Sequence, residues 1–175
     1  SQRSREGIWD GFKNKETYAT SGPRILLWFD LINSKNGRVP MGSKTELSEN
    51  PVFEVKAVGS FKQKPGCPDL GLSKADNEKV MKLCKNECFN PSDERREITR
   101  LEIIKITPQN YNNEPVEDLI KDVWKVHKCK VNSGECRFRF SDSEYSKNGR
   151  DSLYYVRAIE EPSLRINGGN LRCDY

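Results

Sequence analysis

The sequence predicts a mainly β protein, and three observations support this prediction. About six segments have the alternating or continuous apolar pattern of β-strands. Long connections rich in glycine, proline and asparagine separate them, and there is no internal repeat. Two further short segments have the start signals and spacing of helices. We therefore expect an antiparallel, immunoglobulin-like sandwich with two short helices.

The chain begins with a predicted helix over residues 5–15. Ser4 is suited to cap its N-terminus, since a serine oxygen accepts a backbone N–H of the first turn. Ile8, Trp9 and Phe12 recur at helical spacing and form an apolar stripe. A serine–glycine–proline turn then stops the helix.

The next elements follow from period-two patterns. Residues 24–31 are apolar on both faces, which predicts a strand covered on both sides, with Trp28 in the core. In the strand at 52–61, apolar side chains alternate with Glu54 and Lys56. A turn-rich connection is predicted at 33–50 and loops at 62–73 and 89–97. Ser73 and Asp76 mark the start of a predicted helix near 74–87, and a further strand is predicted at 98–107.

The last third of the chain predicts one hairpin and one further strand. Residues 127–140 alternate around the turn residues Asn132-Ser133-Gly134, which is typical of a hairpin. Residues 152–160 are apolar on both faces, so we expect a central strand. We predict a polar connection at residues 109–122, whose middle could form a helical turn. We predict an irregular segment at residues 163–175.

Charge and hydropathy exclude two classes of partner. The net charge is +4, with 30 basic and 26 acidic side chains interspersed along the 175 residues. No basic block is interleaved with aromatic residues, so we expect no nucleic-acid partner. No apolar run approaches the ~20 residues that span a bilayer, so we expect no membrane association.

The six cysteines predict disulfides and an oxidising compartment. Cys129 and Cys136 flank the predicted turn and are expected to pair. Cys67 is expected to pair with Cys84 or Cys88, and the remaining one of those two with Cys173. The alternative is a zinc site built from Cys84, Cys88, His127 and Cys129, although structural zinc sites prefer two tight ligand pairs.

No catalytic constellation is evident in the sequence. His127 is the single histidine, so one candidate base exists for a thiol or serine nucleophile, and no Gly-x-Ser-x-Gly motif is present. Adjacent residues of a strand point to opposite faces, so Glu160 and Glu161 do not form an acid dyad. Glu117 and Asp118 lie in a polar connection and are expected to be solvated. We predict no catalytic residue, metal ligand or cofactor in this chain.

Two aromatic residues are the candidates for ligand binding. Trp124 and Tyr111 could act as platforms for a carbohydrate, although each is more often a packing residue. The stripe Ile8, Trp9 and Phe12 is the candidate interface, because a helix face of this kind marks a partner surface.

Several stretches resemble one family. They are "REGIWDGFKNKETYATSGPRI" at 5–25, "VPMGS" at 39–43, "NPSDERREITRLEIIKITPQ" at 90–109, and "GRDSLYYVRAIEEPS" through "INGGNLRC" at 149–173. In these stretches the chain resembles the C-terminal part of uncharacterised bacterial PHP-like proteins, of the polymerase and histidinol phosphatase superfamily. The runs "YATSGP" and "YYVRAIEEP" are the most specific.

The resemblance implies a domain organisation and a function. Residues 1–22 would close an upstream PHP-like barrel, and residues 23–175 would form a disulfide-containing β domain, truncated at its C-terminus. The chain would be a non-catalytic, periplasmic or secreted domain of a metal-dependent hydrolase. Its partner would be the barrel of the same parent protein, which it would stabilise or flank. The alternatives are a self-sufficient ligand- or carbohydrate-binding module and a stand-alone enzyme.

Overall fold

The computed structural model describes residues 3–64, 89–131 and 134–163. The predicted helix near 74–87, the irregular segment after residue 163, and Cys67, Cys84, Cys88 and Cys173 lie outside these residues. The described helices and strands are α1 (Arg5–Lys13), β1 (Leu26–Ser34), β2 (Gly37–Pro40), β3 (Val52–Val58), β4 (Phe61–Gln63), β5 (Pro91–Arg95), β6 (Ile98–Ile106), β7 (Ile120–Lys128), β8 (Glu135–Ser141), α2 (Tyr145–Asn148) and β9 (Leu153–Glu160).

The first sheet has four antiparallel strands in the order β2-β1-β3-β8. β1 and β2 form a hairpin within the segment predicted as a connection. Its turn ends at Gly37, whose φ of +90° is a conformation that favours glycine. The predicted alternation of β3 is confirmed, because Phe53, Val55 and Ala57 are buried on one face.

The second sheet has three antiparallel strands in the order β7-β6-β9. β6 confirms the predicted strand at 98–107 and lies at its centre. The prediction that residues 152–160 form a central strand is wrong for the described part of the chain, where β9 pairs with β6 alone and lies at the edge of the sheet. Tyr154, Val156 and Ala158 pack against the core, whereas Leu153 is 53 % exposed and Tyr155 is 40 % exposed.

One hydrophobic core joins the two sheets. Its buried members come from β1, β3 and β8 of the first sheet and from β6 of the second, and they are Phe29, Leu31, Phe53, Val55, Ala57, Cys136, Phe140, Ile98, Leu101 and Ile103. Aromatic contacts cross between the sheets, such as Phe53 with Tyr154 at a ring-centroid distance of 4.7 Å. The protein is therefore mainly β, with antiparallel sheets that share one core.

A third, two-stranded sheet corrects the prediction of a loop at 89–97. β4 and β5 pair antiparallel, and Arg95 donates from its guanidinium to the carbonyl of Gly59 at 2.7 Å. A Cβ at Gly59 would collide with the carbonyl oxygen of Arg96, so glycine permits this close approach. The residues of β5 are mostly polar and show no alternation of apolar and polar side chains, so this strand was not predicted.

The predicted hairpin at 127–140 is also wrong in its pairing. β7 pairs with β6 in the second sheet, whereas β8 pairs with β3 in the first. The connection between them therefore crosses from one sheet to the other. The predicted disulfide between Cys129 and Cys136 is present, with a Cα–Cα separation of 5.5 Å. It links the sheets instead of closing a hairpin.

The outer face of β1 is open in the described part of the chain. Phe29 and Leu31 face the core, whereas Leu26 is 39 % exposed and Trp28 is 44 % exposed. The predictions of a doubly covered strand and of a core Trp28 are therefore wrong. A strand that is apolar on both faces has the same sequence pattern whether one face or both faces are covered. Only the arrangement of the sheets shows which of these applies.

Candidate functional site

Helix α1 carries an apolar face that the described β-sheets do not cover. Ser4 caps it as predicted, since its Oγ accepts the N–H of Gly7 at 3.1 Å. Ile8, Trp9 and Phe12 are 60 %, 68 % and 64 % exposed, and no residue of the helix is buried. Together these three side chains present roughly 400 Å² of apolar surface, a size at which patches on monomers are often functional.

The residues just after this helix lie against the segment that follows β2. The carbonyl of Lys15, just beyond the helix, lies against Gly42, where a Cβ would collide with it. A helix of nine residues is marginal in water without tertiary packing. Its stability therefore depends on packing as well as on its own backbone hydrogen bonds.

Trp124, a predicted binding residue, lies on β7 and is half-buried. Its ring contacts Phe140 at a centroid distance of 6.0 Å and Tyr154 at 5.9 Å. The ammonium groups of Lys105 and Lys125 lie 5.5 and 4.6 Å from the ring centroid. This geometry fits a packing role with two cation–π contacts, and it leaves only part of the ring available to a ligand.

Tyr111, the other predicted binding residue, lies in the connection between β6 and β7 and is 62 % exposed. The connection is held in place by Glu114, which accepts from the Asn110 N–H at 2.8 Å. Glu114 also pairs in bidentate fashion with Arg150, at 2.9 Å for both contacts. The hydrogen bonds from Arg150 and Asn110 hold the pKa of Glu114 below its ordinary value. Tyr111 is thus an exposed ring on an anchored loop.

A buried polar network lies beneath Trp124 and was not predicted. Lys105 and Asp142 are 5 % and 1 % exposed and form a short ion pair. Tyr154 donates its hydroxyl to Asp142 Oδ2 at 2.6 Å, and the N–H of Glu144 donates to Oδ1 at 3.1 Å. Lys105 and Tyr154 belong to the second sheet, whereas Asp142 follows β8 of the first. The network therefore ties the sheets together at the end of β8 opposite the disulfide.

Burial and hydrogen bonding act together on the pKa values of this network. Burial alone raises the pKa of Asp142, but the hydrogen bonds from Lys105, Tyr154 and Glu144 outweigh it and lower the pKa overall. Burial and the bond to Asp142 raise the pKa of the Tyr154 hydroxyl. The carboxylate therefore stays ionised and the phenol neutral at physiological pH, which is the arrangement of a structural tie.

The cysteine and histidine candidates are accounted for by packing. Cys129 is bonded to Cys136, so it cannot serve as a thiol nucleophile or complete the alternative zinc site. His127 stacks on Phe138 with a centroid distance of 4.3 Å and an interplanar angle of 9°. Within residues 3–64, 89–131 and 134–163, no three His, Cys, Asp or Glu side chains converge in a way that could hold a metal ion.

A groove of about 580 Å³ separates the segment that follows α1 from β9. Glu160 lies at this groove, but its carboxylate accepts both the N–H and the hydroxyl of Ser60, at 3.0 and 2.9 Å. Glu161 is engaged through its backbone N–H, which donates to the carbonyl of Glu97. The two carboxyl groups therefore have different surroundings. No described helix is both long and apolar enough to cross a bilayer.

The comparisons with known proteins give one finding. Residues 1–65 match the sequence model of a family described as a protein of unknown function, DUF3604. The match extends from α1 to β4 and covers a little over a third of the chain. It shows similarity to an uncharacterised domain family, and its description carries no activity. No curated protein matches the chain, and no solved structure matches it.

Proposed function

We propose that this chain is a non-catalytic accessory β domain of an exported, PHP-like metal-dependent hydrolase. It would dock on the catalytic barrel of the same parent protein through the apolar face of α1, and so stabilise or flank that barrel. The observation that supports this proposal is the exposure of Ile8, Trp9 and Phe12 on a capped helix with no buried residue. The segment that matches an uncharacterised family, residues 1–65, includes α1.

The disulfide supports the localisation part of the proposal. Cys129 and Cys136 lie within bonding geometry, and such bonds persist in oxidising compartments. We therefore propose a periplasmic or secreted location.

We also propose that the fold is an immunoglobulin-like sandwich. A four-stranded and a three-stranded antiparallel sheet that share one core support this part of the proposal.

Binding to the domain that precedes this chain in the native polypeptide tests the proposal. That domain is expressed separately and titrated with the wild-type chain and with the variant Ile8→Ser/Trp9→Ser/Phe12→Ser in isothermal titration calorimetry. The expected result is a complex with the wild-type chain and at least about tenfold weaker binding by the variant, because the apolar contact is lost. Asp10→Ser, on the opposite side of α1, is the matched control and should bind as wild type.

Two outcomes would contradict the proposal. One is a native polypeptide whose mass shows that it begins at Ser1 without a further domain. The other is equal binding by the wild-type chain and the triple variant. Circular dichroism of both proteins shows whether the β-sheets are intact, so that a loss of binding can be assigned to α1.

A self-sufficient carbohydrate-binding module built on Trp124 or Tyr111 stays a prediction. Tyr111 satisfies its first requirement, an exposed ring on a fixed loop. Trp124 is committed to packing on Phe140 and Tyr154. A stand-alone enzyme also stays a prediction, and metal analysis with a panel of phosphoester and ester substrates distinguishes it from both binding functions.

A further inference from the structure

The outer face of the first sheet carries an ordered array of polar and aromatic side chains. Two rows run across β1, β3 and β8, because the strand register places Trp28 opposite Lys56 and Lys56 opposite Arg137. In the neighbouring row Asp30 is opposite Glu54, and Glu54 is opposite Arg139. Directly opposed side chains in an antiparallel sheet have Cβ atoms about 4.5–5.5 Å apart, so each row is continuous.

The row that contains Asp30 and Glu54, called the floor below, is held in place by ion pairs. Arg38 of β2 bridges the two carboxylates, at 2.6 Å to Asp30 and 2.8 Å to Glu54, and the Nε of Arg139 lies 2.6 Å from Glu54. Glu54 is only 4 % exposed, and the hydrogen bonds from the two guanidinium groups lower its pKa to about 2. These charged groups are therefore locked in place before any ligand arrives.

The row at Trp28 presents its groups to solvent. Trp28 is 44 % exposed, and the ammonium of Lys56 lies 5.5 Å from its ring centroid. The side chain of Arg137 is 52 % exposed, and its ion-pair contacts to Glu54 and Glu135 measure 3.8 and 3.5 Å. Both contacts are longer than the usual 2.7–3.2 Å of N–H···O hydrogen bonds, and a guanidinium carries five N–H donors, so Arg137 retains donors for an incoming anion beside its contact with Glu135.

The two rows enclose a shallow depression of about 290 Å³ lined by Trp28, Asp30, Arg38, Glu54, Lys56 and Arg137. This volume lies at the lower end of the ~300–1,000 Å³ range of small-molecule sites. The depression opens onto a flat sheet, which suits one ring of an extended polymer better than a deeply enclosed ligand.

We infer that this face binds an acidic polysaccharide, with a uronic acid ring stacked on Trp28 and its carboxylate on Arg137. A sugar ring has an apolar C–H face that packs on an aromatic ring, and its hydroxyls need both donors and acceptors. The floor supplies both. A guanidinium binds a carboxylate through two parallel hydrogen bonds, which a neutral sugar cannot exploit.

The net charge of the face suits an anionic ligand, and hydroxyl groups separate a polysaccharide from a nucleic acid. Four cations and three carboxylates lie on the face, a net charge of +1, and they are Arg38, Lys56, Arg137, Arg139, Asp30, Glu54 and Glu135. The carboxylate of Asp30 can accept hydrogen bonds from sugar hydroxyls, which the backbone of DNA lacks. The inference is independent of the docking role proposed for α1.

Affinity for a galacturonic acid pentamer tests the inference, measured by isothermal titration calorimetry on the full chain at 50 and 300 mM NaCl. Trp28→Ala and Arg137→Gln are each expected to weaken binding about tenfold, which corresponds to ~1.4 kcal/mol. Trp28→Tyr keeps an aromatic platform and should retain most of the affinity. Raising the salt concentration should weaken binding by the wild-type chain, because the ionic contact is partly exposed.

Matched control variants lie elsewhere on the protein. Tyr155→Ala removes an exposed aromatic ring from β9 of the second sheet, and Arg157→Gln removes an exposed arginine from the same strand, so neither should change the affinity. Circular dichroism confirms that each variant is folded. Failure of this test leaves the α1 proposal unaffected, since the Trp9 side chain is absent from this face.

Four results would overturn the inference. They are no heat of binding with the galacturonic acid pentamer at millimolar concentration, wild-type affinity in Trp28→Ala, equal affinity for the uncharged cellopentaose, and equal affinity for poly-glutamate or a thymidine oligonucleotide. The last two results would assign the binding to stacking alone or to charge alone.

Discussion

Replacing Asp142 by asparagine is the sharpest test of how the two sheets are held together. The substitution keeps the size of the side chain but removes the negative charge that pairs with Lys105. Lys105 is 5 % exposed, so its ammonium would be left without its partner in a site with little water. Tyr154 would also lose the strong acceptor that lies 2.6 Å from its hydroxyl.

The expected cost follows from the burial of the pair. Breaking a buried ion pair by removing one partner costs about 3–5 kcal/mol, because the remaining charge is uncompensated. For a domain of this size, each kcal/mol lowers the melting temperature by about 2–4 °C, so the expected shift is roughly 6–20 °C. An exposed pair gives a contrasting value: Lys62 and Glu94 are 45 % and 75 % exposed, and such pairs contribute about 0–1 kcal/mol.

Urea unfolding at pH 7, with calorimetry as a second probe, measures the effect in Asp142→Asn and in the control Glu94→Gln. Adding Lys105→Met to Asp142→Asn should recover part of the lost stability, because the unpaired ammonium is then removed. The reasoning would be refuted if Asp142→Asn cost no more than Glu94→Gln. It would also be refuted if Lys105→Met made the asparagine variant less stable still.

Three further predictions concern other contacts. Replacing Cys129 and Cys136 by serine should lower the unfolding free energy by ~2–3 kcal/mol, because the seven-residue separation closes a short loop in the unfolded chain; urea titration of the oxidised proteins measures this. The pKa of Glu54 is about 2, below the ordinary 4.5, because two guanidinium groups hydrogen-bond to its carboxylate. The ionised carboxylate therefore stabilises the folded protein fully above about pH 5, and this stabilisation is lost as the pH falls toward 2. The urea midpoint of Glu54→Gln should therefore fall less over that range than that of the wild type. Gly59→Ala should cost ~1–3 kcal/mol, because its Cβ meets the carbonyl of Arg96, and a midpoint equal to that of the wild type would contradict this.

Local patterns in the sequence predicted the parts of the fold that depend on neighbours along the chain. The cap at Ser4 and the inward face of β3 depend on residues only a few positions apart. The disulfide was predicted from two cysteines that are seven positions apart, and it is present. The reason given for it was nevertheless incomplete, since its ends belong to strands of different sheets.

The candidate surfaces were predicted less completely. The stripe on α1 came directly from helical spacing, and its side chains are exposed as a docking face requires. The face around Trp28 was missed, because a tryptophan between Leu27 and Phe29 has the pattern of a buried strand. The charged residues that surround it come from β2, β3 and β8, which are far apart in the sequence. The sequence showed that charged and apolar residues alternate in β3 and β8. It did not show the strand register that places the charged residues of the two strands side by side.

The sequence alone determined which residues form most of the strands and which side chains of β3 and β8 turn inward, because both depend on a period of two along one strand. Only the tertiary structure decided which strands are neighbours: that β9 lies at an edge among the described strands, that β7 and β8 belong to different sheets, and that Trp28 faces solvent. The physical reason is that strand pairing depends on contacts between distant segments. Any one strand pattern is compatible with several partners, and burial of the common core selects among them.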